Sequence, residues 1–461
     1  MKILFAAGEA WPFVKTGGLG EVAHFLPKAL KKEGIDTRVI LPKYSSISEN
    51  FKEQMQHLGH KYIDLSWRKQ YVGVEYLKYE GVDYYFIDNE YYFNRDKIYG
   101  EFDDCERFAF FSKAILEVFD IMGFTPDILH CNDWHTGVAP LYIREKNLNL
   151  KTIFTIHNLR FQGVFGKENL EDILGVPFWK YYNEENIKFH DGISFMKAGI
   201  NYSNLVSTVS KTYANEIKTE HYGEGLWGLF NRVDYKLRGI LNGIDPNHYK
   251  PGRSKKKKKL ELQEKLSLKQ GENIPVIGMV TRFDRQKGLD LVTCVFEEIV
   301  ELGAEIVILG SGEKHYEEFF KYQDSKNPEQ VSVSLGFNEK LAKEIYEGAD
   351  IFLMPSDFEP CGLSQMIAMR YGTLPLVRET GGLADTVEPY NEYEDIGTGF
   401  AFRNYNAHDM LNSLIYSLSI YKNKKKWNGI KKRAMHENFT WESSAHNYIE
   451  IYKEAMERNY Y

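Results

Sequence analysis

The sequence predicts an α/β fold made of two doubly wound parallel sheets, and three observations predict it. Short apolar runs alternate with longer amphipathic segments twice over, once before residue 245 and again from residue 276. Strands separated by helix-length crossovers pair in parallel. Between the two series lie the breaker Asn242-Gly243-Ile244-Asp245-Pro246 and the charge run Lys255-Lys256-Lys257-Lys258-Lys259. The tetrapeptide Thr-Gly-Gly-Leu stands once in each half, at Thr16–Leu19 and Thr380–Leu383, each time between an apolar run and a helix-like stretch.

In the first series, Ile3–Ala7, Thr37–Leu41, Val82–Ile87, Ile128–Cys131 and Thr152–Ile156 read as strands: short, β-rich and bounded by turn residues. Glu21–Lys32 and Arg107–Met122 carry apolar residues at helical spacing, and Leu205–Val209 and Leu237–Leu241 add two short strands. The lysine run reads as a solvated linker surface. The second series comprises strands Val276–Thr281, Glu305–Leu309, Val331–Leu335, Ile351–Met354 and Leu374–Val377, with helices near Leu289–Leu302 and Glu339–Glu347. The stretch Phe439–Tyr461 reads as one amphipathic helix with Trp441, Tyr448, Ile451 and Tyr452 on its apolar side. The expected domains are 1–247, 248–438 and a terminal helix 439–461.

Composition narrows the function. The chain has 461 residues, 43% hydrophobic and 27% charged, as expected of a globular protein with a full core. A formal net charge of −7 argues against nucleic acid as the main partner. Cys105, Cys131, Cys294 and Cys361 form no Cys-x-x-Cys, the pattern of a reducing compartment. No signal-peptide core and no membrane-spanning run is present, so a cytoplasmic protein without a membrane partner is expected. Aromatic residues reach 15%, with 31 Tyr, which serves either sugar stacking or ordinary packing in a Lys-, Asn- and Tyr-rich composition.

Paired glycines at a helix start leave backbone N–H groups uncovered where the helix dipole is positive, so an anion can sit there. Two such turns suggest two halves closing on one phosphate-bearing ligand. The segment Thr281 to Leu289 follows a strand and precedes a helix, the ligand edge of an open parallel sheet. Arg282 and Lys287 lie five apart across that turn and can converge on one diphosphate, whose oxygens gain charge as a bond to them breaks. Pro355 to Ser364 also follows a strand; there Glu359 can accept from sugar hydroxyls, while Gly362 permits close backbone approach. Cys361 is either a nucleophile or a small lining residue, and no histidine lies near it in sequence. Gly310-Ser311-Gly312 is placed to pass close to a nucleoside. His157-Asn158 and His130 to His135 end two strands of the first half. Their imidazoles are open to core, catalytic or metal-ligand roles, though no helical His-x-x-x-His pair supports a metal. Neither a dinucleotide Gly-x-Gly-x-x-Gly nor an ATPase phosphate loop occurs.

Taken together and in order, these groups resemble glycosyltransferase family five, the bacterial glycogen synthases and plant starch synthases. The resemblance rests on Lys15 to Val22, His130 to Trp134, His157-Asn158, Leu241 to Asp245, Arg282 to Lys287, Glu359 to Ser364 and Thr380 to Asp385. It implies the GT-B fold: two Rossmann-like domains facing across a deep cleft, with the C-terminal helix crossing back to the first. It also implies transfer of glucose from ADP-glucose to the non-reducing 4-hydroxyl of an α-1,4-glucan, with retention and with neither cofactor nor metal. Arg282 and Lys287 match the diphosphate pair, Glu359 the carboxylate on glucose hydroxyls, and Cys361, Gly362 and Leu363 its backbone neighbours. His157 matches the histidine beside the anomeric carbon. Lys15, Gly17 and Gly18 match the first phosphate-facing loop, and Thr380, Gly381 and Gly382 the second. Asn242, Asp133 and Asn158 match polar groups on the glucose or acceptor side, and Gly312 belongs with the nucleotide side. Phe337 stands where the family carries an adenine-stacking tyrosine, and stacking survives loss of the hydroxyl. A UDP-glucose transferase, a pyridoxal-dependent phosphorylase and a silent glucan-binding protein are the competing readings.

Overall fold

Nine strands make the sheet of the first half: β1 (Lys2–Ala6), β2 (Asp36–Pro42), β3 (Gln56–Leu65), β4 (Arg68–Tyr79), β5 (Val82–Asp88), β6 (Ile128–Asn132) and β7 (Lys151–Ile156), then, after the small sheet of β8 (Val164–Gly166), β9 (Lys188–Phe189) and β10 (Gly192–Ser194), β11 (Leu205–Thr208) and β12 (Leu237–Gly239). Their order is β12-β11-β7-β6-β1-β2-β5-β4-β3. All neighbours pair in parallel except β4, which runs antiparallel to both β3 and β5. Ile3, Leu4, Phe5 and Ala6 are completely buried, as befits a central strand covered on both faces.

The computed structural model describes residues 1–252 and 254–458. Contacts divide it into two units: one holds Met1–Val209, Ala214–Ile240 and the stretch from Trp441, the other Ser210–Tyr213 and Leu241–Thr440. In the second unit, β13 (Val276–Val280), β14 (Glu305–Gly310), β15 (Val331–Leu335), β16 (Ile351–Met354), β17 (Leu374–Arg378) and β18 (Phe400–Phe402) form an all-parallel sheet in the order β15-β14-β13-β16-β17-β18.

The C-terminal helix spans Trp441–Glu457; residues 459–461 of the expected helix lie outside the described residues. It packs within the first unit. Trp441 stacks on Phe25 at 6.3 Å, Glu454 pairs with Arg238, and the Tyr452 hydroxyl meets His130 Nδ1 at 2.8 Å.

Several expectations need correction. The hairpin β3–β4 was not foreseen. The expected helix Arg107–Met122 is two, Asp104–Glu117 and Phe119–Met122, parted at Val118. Leu289–Leu302 likewise divides at Val295, whose ψ of 26° leaves helical geometry. The lysine run is no linker: it opens the helix Lys255–Lys265. Lys259 is buried and donates to Asp350 Oδ2 at 2.6 Å and to the Tyr421 hydroxyl at 2.9 Å, while Lys255 donates to Thr373 Oγ1 and the Tyr346 carbonyl. An ammonium enters the interior only when such partners replace water.

Candidate active site

In the second unit the site is built on three strand ends. A 3-10 turn, Arg285–Lys287, follows β13 and closes at Gly288, whose φ of +68° and close approach to the Pro355 carbonyl exclude a side chain. That turn delivers the Lys287 ammonium to Glu359 Oε2 at 2.7 Å, and Ser356 Oγ donates to the same oxygen at 3.1 Å. Glu359 is buried in the loop after β16. A charged pair here, with a hydroxyl on the carboxylate, is a preorganised polar centre.

After β17, the second Thr-Gly-Gly-Leu opens the short helix Gly381–Thr386. Gly382 N–H donates to the Glu359 carbonyl at 3.0 Å. A Cβ on Gly381 would stand 1.9 Å from that carbonyl, and one on Gly382 would stand 2.0 Å from the carbonyl of Cys361. The glycines of this turn therefore let two loops pack backbone to backbone, fixing Glu359 from behind. Cys361 is buried and its thiol is pushed up to about 12 by burial, so it is protonated at neutral pH and unsuited to attack. Gly362 has φ +70°, and Leu363 caps the helix Ser364–Arg370. Asn242 is buried with its backbone N–H on the Cys361 sulfur, and its Oδ1 has no hydrogen-bond partner among the described residues. It is an open acceptor beside the Glu359 loop.

Three second-unit residues stand apart. Arg282 is 60% exposed and, among the described residues, pairs only with Asp284, at 3.5 Å. Phe337 follows β15 and is 91% exposed. Gly312 packs against its own chain: a Cβ there would meet the Phe283 carbonyl at 2.3 Å, and one on Gly310 would stand 1.8 Å from the Thr281 carbonyl. Those glycines are required by the chain's own backbone.

In the first unit, β6 and β7 end side by side. Asp133, just after β6, accepts from the His157 backbone N–H at 2.8 Å and from that of Asn158. It takes φ +54° with ψ −179°, a region costly for any residue with a Cβ. Burial pushes its carboxyl up to about 7, against the two amide bonds that lower it. Asn132 Nδ2 donates to the Ala6 and His130 carbonyls, so Oδ1 is left to accept from His157 Nε2–H at 2.9 Å. This fixes the tautomer: Nδ1 of His157 carries the lone pair. Burial lowers the imidazole to about 3, so it is neutral at working pH. Asn158 Oδ1 accepts from Arg160 N–H.

His130 and His135 are core residues. His130 is held by Tyr452 and, through Nε2, by Thr155, and His135 stacks on Tyr99 at 4.2 Å. Among the described residues, no three His, Cys, Asp or Glu side chains gather as metal ligands would.

The first Thr-Gly-Gly-Leu also departs from expectation. Lys15 pairs with Glu21 at 2.5 Å. The amides of Thr16, Gly17 and Gly20 are not open to a phosphate, because the buried carboxylate of Glu9 accepts from all three. Glu9, Asn132 and Ser356 were not foreseen. A Ser, Thr, Asp or Asn directly before a helix is a readable cap, whereas a glutamate returning from seven residues upstream leaves no local pattern.

Comparison with known proteins fits this geometry. The model for the starch synthase catalytic domain matches residues 2–232, and that for glycosyl transferases group 1 matches 259–434. A glycogen synthase from Fusobacterium nucleatum subsp. nucleatum is 54% identical over 99% of this chain and 100% of its own length. One from Clostridium acetobutylicum is 49% identical, again over 99% and 100%. Among solved structures, the catalytic domain of starch synthase IV from Arabidopsis thaliana, bound to ADP and acarbose, superposes with a TM-score of 0.90 at 32% identity, covering 99% of each chain. A sucrose-phosphate synthase from Thermosynechococcus elongatus shares the fold at TM-score 0.64 and 16% identity, with 98% of each chain covered. With two parallel α/β units and this ancestry, the chain belongs to the glycogen and starch synthase family, glycosyltransferases of the GT-B fold.

Proposed function

We propose that this chain extends α-1,4-glucans, transferring glucose from ADP-glucose to the non-reducing 4-hydroxyl with retention of configuration. The observation that carries the reading is the Lys287–Glu359 pair at 2.7 Å, in a chain 54% identical end to end to a glycogen synthase. In this reading Arg282 and Lys287 neutralise the leaving ADP, so no metal and no cofactor is needed. Glu359 and Asn242 hold glucose hydroxyls, with Cys361, Gly362, Leu363, Thr380, Gly381 and Gly382 shaping the loop around them. Phe337 stacks on adenine. Lys15 and Gly18 face the phosphates, while His157, Asp133 and Asn158 serve the sugar and acceptor.

Retention requires either a covalent glucosyl intermediate or return within an ion pair on one face. Glu359 is engaged by Lys287 and Ser356, and His157 directs its Nε2 proton to Asn132, which favours the ion-pair route. The C1–O bond to ADP breaks, the acceptor oxygen bonds to C1, and its proton passes to the departing phosphate oxygen. A cytoplasmic location accompanies this reading, supported by four free cysteines. No helix among the described residues is long and apolar enough to cross a membrane.

The experiment is transfer of labelled glucose into glycogen from ADP-glucose and from UDP-glucose, with and without chelator. ADP-glucose is expected to be the better donor, with chelator harmless. A clear preference for UDP-glucose overturns the donor assignment, and a glucosyl-enzyme trapped with a slow fluorinated donor overturns the ion-pair route.

A further inference from the structure

Glu9 is 2% exposed, and its two oxygens accept four hydrogen bonds. Oε2 takes the Thr16 N–H at 2.7 Å and the Thr16 hydroxyl at 2.5 Å; Oε1 takes the Gly17 N–H at 3.2 Å and the Gly20 N–H at 2.9 Å. The helix that starts here, Gly18–Lys32, has no side-chain cap of its own and runs fifteen residues, so its first turn carries the partial positive charge of a full helix. The chain has put its own anion where a nucleotide phosphate was expected. What it leaves outward is the Gly18 amide, which has no hydrogen-bond partner among the described residues and open space in its Cβ direction, together with Lys15.

Residue type matters at this position. All four partners are donors, and only a carboxylate offers acceptors on both oxygens; an amide would turn an NH2 toward one of the two pairs. We propose that Glu9 is a positioning residue for the transfer reaction. It holds Lys15-Thr16-Gly17-Gly18 in the one shape that turns Lys15 and the Gly18 amide outward to the donor, and its charge keeps free phosphate from seating on the Thr16, Gly17 and Gly20 amides. The proposal rests on the ADP-glucose reading above and adds a residue to it.

The test compares full-length wild type with Glu9→Gln, measuring kcat, KM for glycogen, thermal midpoint and inhibition by inorganic phosphate. Glu9→Gln is expected to keep the midpoint within a few degrees and the KM for glycogen unchanged, while kcat falls at least twenty-fold. Inorganic phosphate should inhibit it at concentrations at least ten-fold lower than wild type, a change that mere loosening of a loop does not produce. Unchanged kcat, or a fall in kcat without the gain in phosphate sensitivity, overturns the proposal. If Glu9→Gln does not fold, Glu9→Asp replaces it: the charge stays but is drawn back by one carbon–carbon bond, so kcat should fall with phosphate sensitivity as in wild type, and wild-type kcat overturns the proposal. Phosphate binding by calorimetry needs no turnover. A wild type inactive on ADP-glucose therefore sinks the activity reading alone, while the calorimetric comparison still decides the role of Glu9.

Discussion

The Lys287 ammonium lies 2.7 Å from Glu359 Oε2, so the cation proposed for the diphosphate is already held by the carboxylate proposed for the sugar. Each group is the counter-charge of the other before substrate arrives. Removing Lys287 leaves the buried Glu359 carboxylate without its counter-charge, and removing Glu359 does the same to the partly buried ammonium, so the two substitutions should not add. Lys287→Ala is expected to lower kcat by about 10²–10³-fold, the scale of losing one electrostatic stabiliser. Lys287→Ala with Glu359→Ala should cost far less than the product of the single losses. Strict multiplicativity in kcat would show that the two residues act independently.

Arg282 offers the opposite case, an exposed side chain whose one charged neighbour among the described residues is Asp284 at 3.5 Å. Arg282→Ala should therefore change unfolding free energy by no more than about 0.5 kcal/mol. Its kcat/KM for ADP-glucose should fall by about 10²-fold. Denaturant titration beside initial rates separates the two, and a rate equal to wild type removes Arg282 from the site.

Acid should unfold the first unit through its histidines. Burial lowers both His130 and His135 to about 3, well under the ordinary value of 6.5. The unfolded chain then binds more protons than the folded one below pH 6.5, so the stability these residues contribute is complete above that pH. It declines as pH falls toward about 3, by about 1.4 kcal/mol per pH unit for each group. Denaturant midpoints between pH 7 and pH 4 should follow this slope, and His130→Gln should reduce it. A midpoint independent of pH over that window contradicts the assignment.

Asp133 should act in the other direction. Its carboxyl is raised to about 7 by burial, so the protonated form is the one the fold prefers. Its contribution to stability is present below pH 4 and is lost as pH climbs through about 7. Asp133→Asn should flatten that part of the stability profile and remove any limb near pH 7 from the rate profile. A limb that survives the substitution belongs to another group.

Much of the fold was legible because its strands are short apolar runs with covered faces. Ile3–Ala7, Thr152–Ile156 and Ile351–Met354 mark β1, β7 and β16 to within a residue or two. The hairpin β3–β4 was not, because Gln56–Leu65 is half exposed and mixes histidine, lysine and aspartate with few apolar residues. Of the candidate site, the residues at strand ends could be read from strand–turn–helix context, whereas their mutual contacts could not. Lys287 meets Glu359 across 72 positions, and Lys259 meets Asp350 across 91. A lysine run looks solvated until its distant carboxylate is known. Nor does any sequence pattern announce that Asp133 takes a positive φ while its carboxylate accepts from two backbone amides one strand away.

The return of Trp441–Glu457 to the first unit sets a schedule for synthesis. When residue 240 leaves the ribosome, Phe25, His130 and Arg238 still lack the partners that the last helix supplies. At ordinary elongation rates the nascent chain waits about 10–40 s for them. The later half, drawn almost wholly from Leu241–Thr440, is complete first, so a polypeptide cut short before Trp441 strands the earlier half with an uncovered apolar face.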